Sequence, residues 1–231
     1  MHDSILENTS ITFDLDGTLV DTAPDLVRVL NTVIAPDGLA PVDVADARTL
    51  IGFGSMAMIK QAYRDAHVPL SDPNAVNIQR RFLDLYAEDL SQVSTAYPGV
   101  ATVLGQLKRA GAHLSVCTNK PGDMARPLLE QLCLAQYFDK IVGSGDSVAT
   151  KPSAEHIFAA VGHRGTKPIV MIGDGAPDVF AARAAKAPVI LMAYGYSPIS
   201  VHTFGADAVL RSFRELPSAL KELLGSVPDL I

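Results

Sequence analysis

Ser10-Ile11-Thr12-Phe13-Asp14-Leu15-Asp16-Gly17-Thr18-Leu19-Val20-Asp21 starts as a short strand and runs straight into two acids one residue apart. Ile11, Thr12 and Phe13 are residue types that suit a pleated, buried backbone. Alternate residues of an extended chain face the same way, so Asp14 and Asp16 can both reach one site at the strand's carboxyl end. That edge is where open parallel sheets bind ligands. Gly17 permits a tight turn directly after the acids. Taken alone, Asp-x-Asp-Gly is equally the mark of a plain strand-to-turn junction, so its meaning depends on the rest of the chain.

Downstream, short apolar runs alternate with helix-length amphipathic segments. Strands are expected at Ser10–Phe13, His113–Cys117, Lys140–Val142, Ile169–Ile172, Val189–Met192 and Ala208–Leu210. Helices are expected over Val100–Ala110, Asp123–Leu134, Ala154–Val161, Asp178–Ala185 and Phe213–Leu224. Such alternation implies a parallel sheet with helices on both faces. Residues 23–94 break the pattern: they offer helices near Pro24–Ile34, Val42–Thr49, Ser55–His67 and Pro73–Leu90, and no convincing strand. Pro24 suits a helix start, and Ser71-Asp72-Pro73 reads as a turn and cap before the last helix. The segment therefore reads as a small helical domain (23–94) inserted into an α/β domain (1–22 plus 95–231), with linkers near Asp21–Ala23 and Ser94–Pro98.

Three further groups of polar residues fall beside strand ends. Thr118-Asn119-Lys120 follows the second long strand; a Thr hydroxyl with neighbouring backbone N–H groups can hold a phosphate oxygen, or can simply cap the next helix. Lys151-Pro152 precedes a helix, and a lysine is a compact charge able to balance a phosphoryl group, though a surface lysine is the plain alternative. Gly173-Asp174-Gly175-Ala176-Pro177-Asp178 follows the strand at Ile169–Ile172, with Pro177 expected at the first helical position. Its two acids suit Mg²⁺, which binds through one or two carboxylates and substrate phosphate; Asp178 would also favour the helix dipole with no ligand present.

The order DxDGT, Thr-Asn, Lys-Pro, GDGxxD, with a helical insert after the first, resembles the haloacid dehalogenase superfamily of phosphohydrolases over nearly the whole chain. Ala96-Tyr97-Pro98-Gly99-Val100, and Arg48 followed by Ile51-Gly52-Phe53-Gly54, are further local matches, most like the phosphoglycolate phosphatase branch. The resemblance implies a Rossmann-like parallel core with an all-helical cap domain, and a Mg²⁺-dependent phosphatase acting on a small phosphorylated metabolite, 2-phosphoglycolate first among them. It implies Asp14 as the nucleophile that becomes an aspartyl phosphate, and Asp16 as the acid and base. Mg²⁺ would sit among Asp14, the Asp16 carbonyl and Asp174. Thr118 and Lys151 would hold the phosphoryl oxygens with help from Gly17 and Asn119, and Asp178 would orient Lys151 or the metal's waters. The chain departs from that branch at Gly175, where Ser or Thr is common, at Pro177, where Asn is frequent, and at Ser153-Ala154, where a second Pro is usual. A phosphomutase of the β-phosphoglucomutase type would share this core. A dehalogenase would generally lack Asp16, and a receiver-like phospho-acceptor module would have about half this length and no insert.

Composition sets the outer bounds. The 231 residues carry 19 Lys+Arg against 25 Asp+Glu, a net charge of −6, so no basic face for nucleic acid is expected. Hydrophobic residues make up 48% and charged residues 19%, enough for a real core. No run approaches a membrane span, and the first residues lack the pattern of a signal peptide. Two cysteines, Cys117 and Cys133, fit a reducing cytoplasm, with Cys117 expected as a buried small hydrophobe. The six histidines (His2, His67, His113, His156, His163 and His202) are expected to be structural. Tyr194-Gly195-Tyr196 is expected to be a plain loop, and Arg48 and Lys60 are candidates for gripping a substrate carboxylate or sugar hydroxyl. Oligomeric state, monomer or homodimer, is not encoded in any of these features.

Overall fold

The computed structural model describes residues 6–225; His2 and the first residues of the chain lie outside them. In chain order the elements are β1 (Ser10–Phe13), β2 (Val20–Asp21), α1 (Ala23–Ile34), α2 (Val44–Ile51), α3 (Ser55–Asp65), α4 (Asp72–Glu88), β3 (Thr95–Ala96), α5 (Val100–Arg109) and β4 (His113–Pro121). There follow α6 (Gly122–Gln131), β5 (Lys140–Ser144), α7 (Ala154–Val161), β6 (Ile169–Gly173), α8 (Ala176–Ala184), β7 (Val189–Met192), β8 (Ala208–Leu210) and α9 (Leu216–Gly225). By packing, the chain divides into two compact units, 1–20 with 96–231, and 21–95.

In the larger unit, six parallel strands are ordered β5-β4-β1-β6-β7-β8. After β1 the chain builds outward through β4 and β5 on one side, then returns to lay β6, β7 and β8 on the other. The order thus reverses at β1, the switch point where a crevice opens at the strands' carboxyl ends. Register brings the ends level: Phe13 pairs with Val116 on one side and Ile172 on the other, so Asp14 follows the last rung beside Cys117 and Gly173.

The strands are buried on both faces, as a covered parallel sheet requires. Cys117, Val142, Ile169, Met171 and Leu191 pack in one apolar cluster with Ile157 and Ala160 of α7 and Val179 and Ala182 of α8. Phe13, on the opposite face by alternation, meets Phe138 and Phe213 with ring centroids 6.1 and 6.0 Å away. Complete burial of that one ring contributes about 2–3 kcal/mol.

Three local differences from the sequence reading concern the site. β4 continues to Pro121 rather than ending at Cys117: its pairing with β5 is irregular after Cys117 and resumes at Pro121 opposite Ser144, with Thr118-Asn119-Lys120 between. α8 begins at Ala176, so Pro177 takes the second position and Asp178 the third. The last helical stretch opens with a 3₁₀ turn at Phe213–Glu215 before α9.

The smaller unit is a bundle of α1–α4 in which α2 and α4 start with side-chain caps, the second of them at the Ser71 the sequence marks. Ser71 Oγ accepts the Asn74 N–H at 3.4 Å, and Asp43 Oδ1 accepts the Ala45 N–H at 2.8 Å. Its most constrained polar group is Asp25 of α1, fully buried. Oδ2 accepts the Ser94 N–H at 2.7 Å, the Ser94 hydroxyl at 2.6 Å and the Val93 N–H at 3.0 Å, while Oδ1 takes Arg28 Nε at 2.9 Å. Burial alone would raise the Asp25 pKa, but these donors together hold it below the usual carboxylate range. Asp25→Ala leaves these donors without their acceptor, and we expect it to destabilise this unit by about 2–3 kcal/mol in urea unfolding. An unchanged midpoint would show that the donors find other partners. No helix among the described residues is long and apolar enough to cross a membrane.

Candidate active site

The carboxyl ends of β1, β4 and β6 gather the residues that the sequence put at strand ends. The Asp14 N–H donates to Ile172 O at 2.8 Å, fixing the first residue after β1 against β6. Asp14 Oδ1 accepts the Leu15 N–H at 2.8 Å and pairs with Lys151 Nζ at 2.8 Å. Lys151 Nζ also pairs with Asp178 Oδ1 at 2.7 Å, so one cation bridges two acids, and its side chain is only 1% exposed. Its backbone is held as firmly. Asn119 Oδ1 accepts the Lys151 N–H, and Asn119 Nδ2 donates to Lys151 O, both at 3.0 Å. His156 Nδ1 accepts the same N–H at 3.1 Å. Asn119, expected to contribute backbone or side-chain donors to phosphate, thus has its side chain engaged in clamping Lys151.

Asp178 caps the start of α8 with its other oxygen: Oδ2 accepts the N–H groups of Asp174 and Gly175, each at 3.1 Å. Asp174 is held on three sides. Its Oδ2 accepts the Tyr196 N–H at 2.6 Å, its Oδ1 accepts the Thr18 hydroxyl at 3.3 Å, and the Gly17 turn lies against it. Gly17 has φ +82°, and a Cβ there would fall 2.5 Å from Asp174 Oδ2, so both conformation and space require glycine. Its N–H donates to Val20 O at 3.0 Å and closes the turn. Tyr194 binds the same turn, its hydroxyl donating to Thr18 O at 2.8 Å. The Tyr194-Gly195-Tyr196 loop is therefore part of the frame around Asp174.

Asp16 takes a separate partner. Lys120 Nζ lies 3.3 and 3.4 Å from its two carboxylate oxygens. Thr118, buried on the same strand, accepts the Lys120 N–H at 3.2 Å through its hydroxyl oxygen, which leaves the hydroxyl proton to donate elsewhere. Lys120, Thr18 and His156 carry parts of this arrangement that the sequence reading did not assign. Lys120 and Thr18 stood inside quoted motifs, while His156 had no signal beyond its nearness to Lys151.

Carboxylate oxygens of Asp14, Asp174 and Asp178 lie within 4.8 Å of one another, a cluster able to hold a cation. Burial is the largest influence on Asp14 and, with the neighbouring acids, lifts its pKa to about 6 against the pull of Lys151. Burial, with Asp178 and Asp14, raises Asp174 as well. Burial opposes the charge on Lys151, yet Asp14 and Asp178 outweigh it and hold the ammonium above its ordinary range. Burial pushes His156 down to about 4, helped by the charge of Lys151. A neutral imidazole suits its acceptor role at Nδ1. Burial also pushes the Cys117 thiol up to about 12, so it stays protonated in the core. In the smaller unit, Arg48 pairs with Asp21, and Lys60 pairs with Asp72 at 3.1 Å, so both candidate grips already have acidic partners.

Residues 11–192 match the family model described as haloacid dehalogenase-like hydrolase. A phosphoglycolate phosphatase from Caulobacter vibrioides is 41% identical over 99% of this chain and 96% of its own length. One from Agrobacterium fabrum is 41% identical over 93% of each chain. A crystal structure from Haemophilus somnus, described as a predicted phosphoglycolate phosphatase, superposes with a TM-score of 0.83 at 28% identity, covering 92% of this chain and 97% of that one. With a family model spanning the sheet from β1 to β7 and relatives alike end to end, the chain belongs to the haloacid dehalogenase-like hydrolases and is a phosphoric monoester hydrolase.

Proposed function

We propose that the protein is a Mg²⁺-dependent phosphatase of a small phosphomonoester, with 2-phosphoglycolate as its substrate. The observation that carries this is the buried array in which Lys151 bridges Asp14 and Asp178 beside Asp174 at the sheet's switch point. Asp14 attacks phosphorus as the phosphorus–oxygen bond to the leaving group breaks, and Asp16 delivers its proton to that oxygen. Water then attacks the aspartyl phosphate and gives a proton to Asp16; the bond to Asp14 breaks, and phosphate leaves. Lys151 and the Thr118 hydroxyl hold the phosphoryl oxygens where negative charge develops. Asn119, Asp178 and the Gly17 turn keep these groups in place.

The donor set fits a hard cation: three carboxylates lie close together, and burial, then the neighbouring acids, raise the pKa values of two of them. Asp14 and Asp174, with the Asp16 carbonyl, would hold Mg²⁺, since Asp178 is committed to Lys151 and the α8 start. When bound, the ion offsets repulsion between an anionic substrate and an anionic nucleophile. In this reading residues 23–94 form a cap domain that supplies leaving-group contacts and excludes water. Two free cysteines suit a cytoplasmic setting.

The test is phosphate release from 2-phosphoglycolate, a sugar monophosphate, a nucleotide and pyrophosphate, each with Mg²⁺ and with EDTA. We expect metal-dependent release with the highest kcat/KM on 2-phosphoglycolate. If none of them releases phosphate with Mg²⁺ present, the phosphatase reading fails. Isomerisation of a hexose 1-phosphate without free phosphate would mark a mutase instead.

A further inference from the structure

We propose that Lys120 is a positioning residue for the leaving-group step, holding the Asp16 carboxylate where it meets the departing oxygen; the inference rests on the phosphatase reading above. Three features of this structure carry it. The Lys120 side chain is 4% exposed while that of Asp16 is 20% exposed, so the lysine lies behind the acid and leaves it open to a ligand. Its ammonium addresses both carboxylate oxygens at 3.3 and 3.4 Å, restraining rotation of the acid about its last bond. The lysine backbone is itself seated: its N–H donates to Thr118 Oγ1 at 3.2 Å, and a Cβ on Gly143 of β5 would stand 2.5 Å from Lys120 O. A buried lysine set this tightly would be costly without a partner.

The two cations of the site therefore divide the acids. Lys151 serves Asp14 and Asp178, on the side where phosphorus is attacked, and Lys120 serves Asp16. In the first step, a residue acting through Asp16 matters in proportion to how badly the leaving group needs a proton; in the second, water gives its proton to Asp16 whichever ester was used. Glycolate leaves as a poor alkoxide, whereas 2,4-dinitrophenolate leaves readily without protonation.

The experiment compares Lys120→Met and Lys120→Arg with the wild type on 2-phosphoglycolate and on 2,4-dinitrophenyl phosphate, with Mg²⁺. For Lys120→Met we expect kcat on 2-phosphoglycolate to fall about 10²-fold, the range of a general-acid contribution. KM and the burst rate of dinitrophenolate release, which reports the first step alone, should stay within about threefold, and Lys120→Arg should restore part of the loss. In an Asp16→Asn background, Lys120→Met should add little, because both act on one proton. An equal loss in the dinitrophenolate burst, full additivity with Asp16→Asn, or no loss at all would overturn the inference. Lys120→Gln replaces Lys120→Met should the latter not fold. A wild type inert towards both esters would instead overturn the phosphatase reading, and this inference with it, so the two failures are told apart in the wild-type arm.

Discussion

Asp14→Asn should lower phosphate release by about 10⁴-fold or more, the scale on which a covalent nucleophile is lost, while the protein stays folded. Asparagine keeps the size of the side chain and an oxygen to accept the Leu15 N–H, but it cannot form the acyl phosphate. Stability should follow pH with a definite sign. The folded-state pKa of Asp14, about 6, lies above its unfolded value near 3.8, so the folded state keeps a proton that the unfolded chain has already lost. The contribution of Asp14 is present below pH 4 and is lost as pH rises through 6. Asparagine has no proton to lose. In EDTA, the melting temperature of Asp14→Asn relative to wild type should therefore move upward between pH 4.5 and pH 7.5. A rate near that of wild type would remove Asp14 from the role of nucleophile. A pH-independent difference in melting temperature would mean that burial does not disfavour its ionisation.

Much of this framework was legible because it is local. β1, β7, β8 and α7 stand where the composition and spacing of their own residues put them. The acids and Lys151 were found because each follows a strand or precedes a helix, and the carboxyl edge of a parallel sheet has a known use. What the sequence hid is pairing across distance. Nothing near Asn119 announces that its amide will clamp the backbone of a residue 32 positions on, or that Lys120 will reach Asp16, 104 positions back. The extra length of β4 was missed for the same reason: Thr118-Asn119-Lys120 carries turn-like residues, and the pairing that resumes beyond them, Pro121 with Ser144, is set by a distant strand. Arg48 and Lys60 looked like free grips because their acidic partners, Asp21 and Asp72, lie 27 and 12 residues away. The tight turn at Gly17 was legible, but not that its missing Cβ makes room for Asp174, 157 residues on.

Lys151→Met should be the most destabilising of these changes at neutral and higher pH, by about 3–5 kcal/mol, because it leaves buried carboxylates without their shared cation. Methionine fills nearly the same volume, so the loss reports charge rather than a cavity. The pH dependence follows from the same contacts. In the wild type the charge of Lys151 lowers the pKa values of both Asp14 and Asp174 against burial. Without it they rise further above their unfolded values, so the folded variant binds protons over a wider range. Stability of the variant is then present in acid and lost as pH rises, and the gap from wild type should shrink towards pH 5. Mg²⁺ should recover part of the loss at pH 8, since a cation among Asp14 and Asp174 does some of what the ammonium did. Activity should fall with it, because the phosphoryl oxygens lose a fixed positive charge. Urea titrations at pH 5 and pH 8, with EDTA and with Mg²⁺, separate these effects. A variant with wild-type midpoints at pH 8 in EDTA would show that the backbone N–H groups and solvent already balance these acids. Lys151 would then be needed only for catalysis.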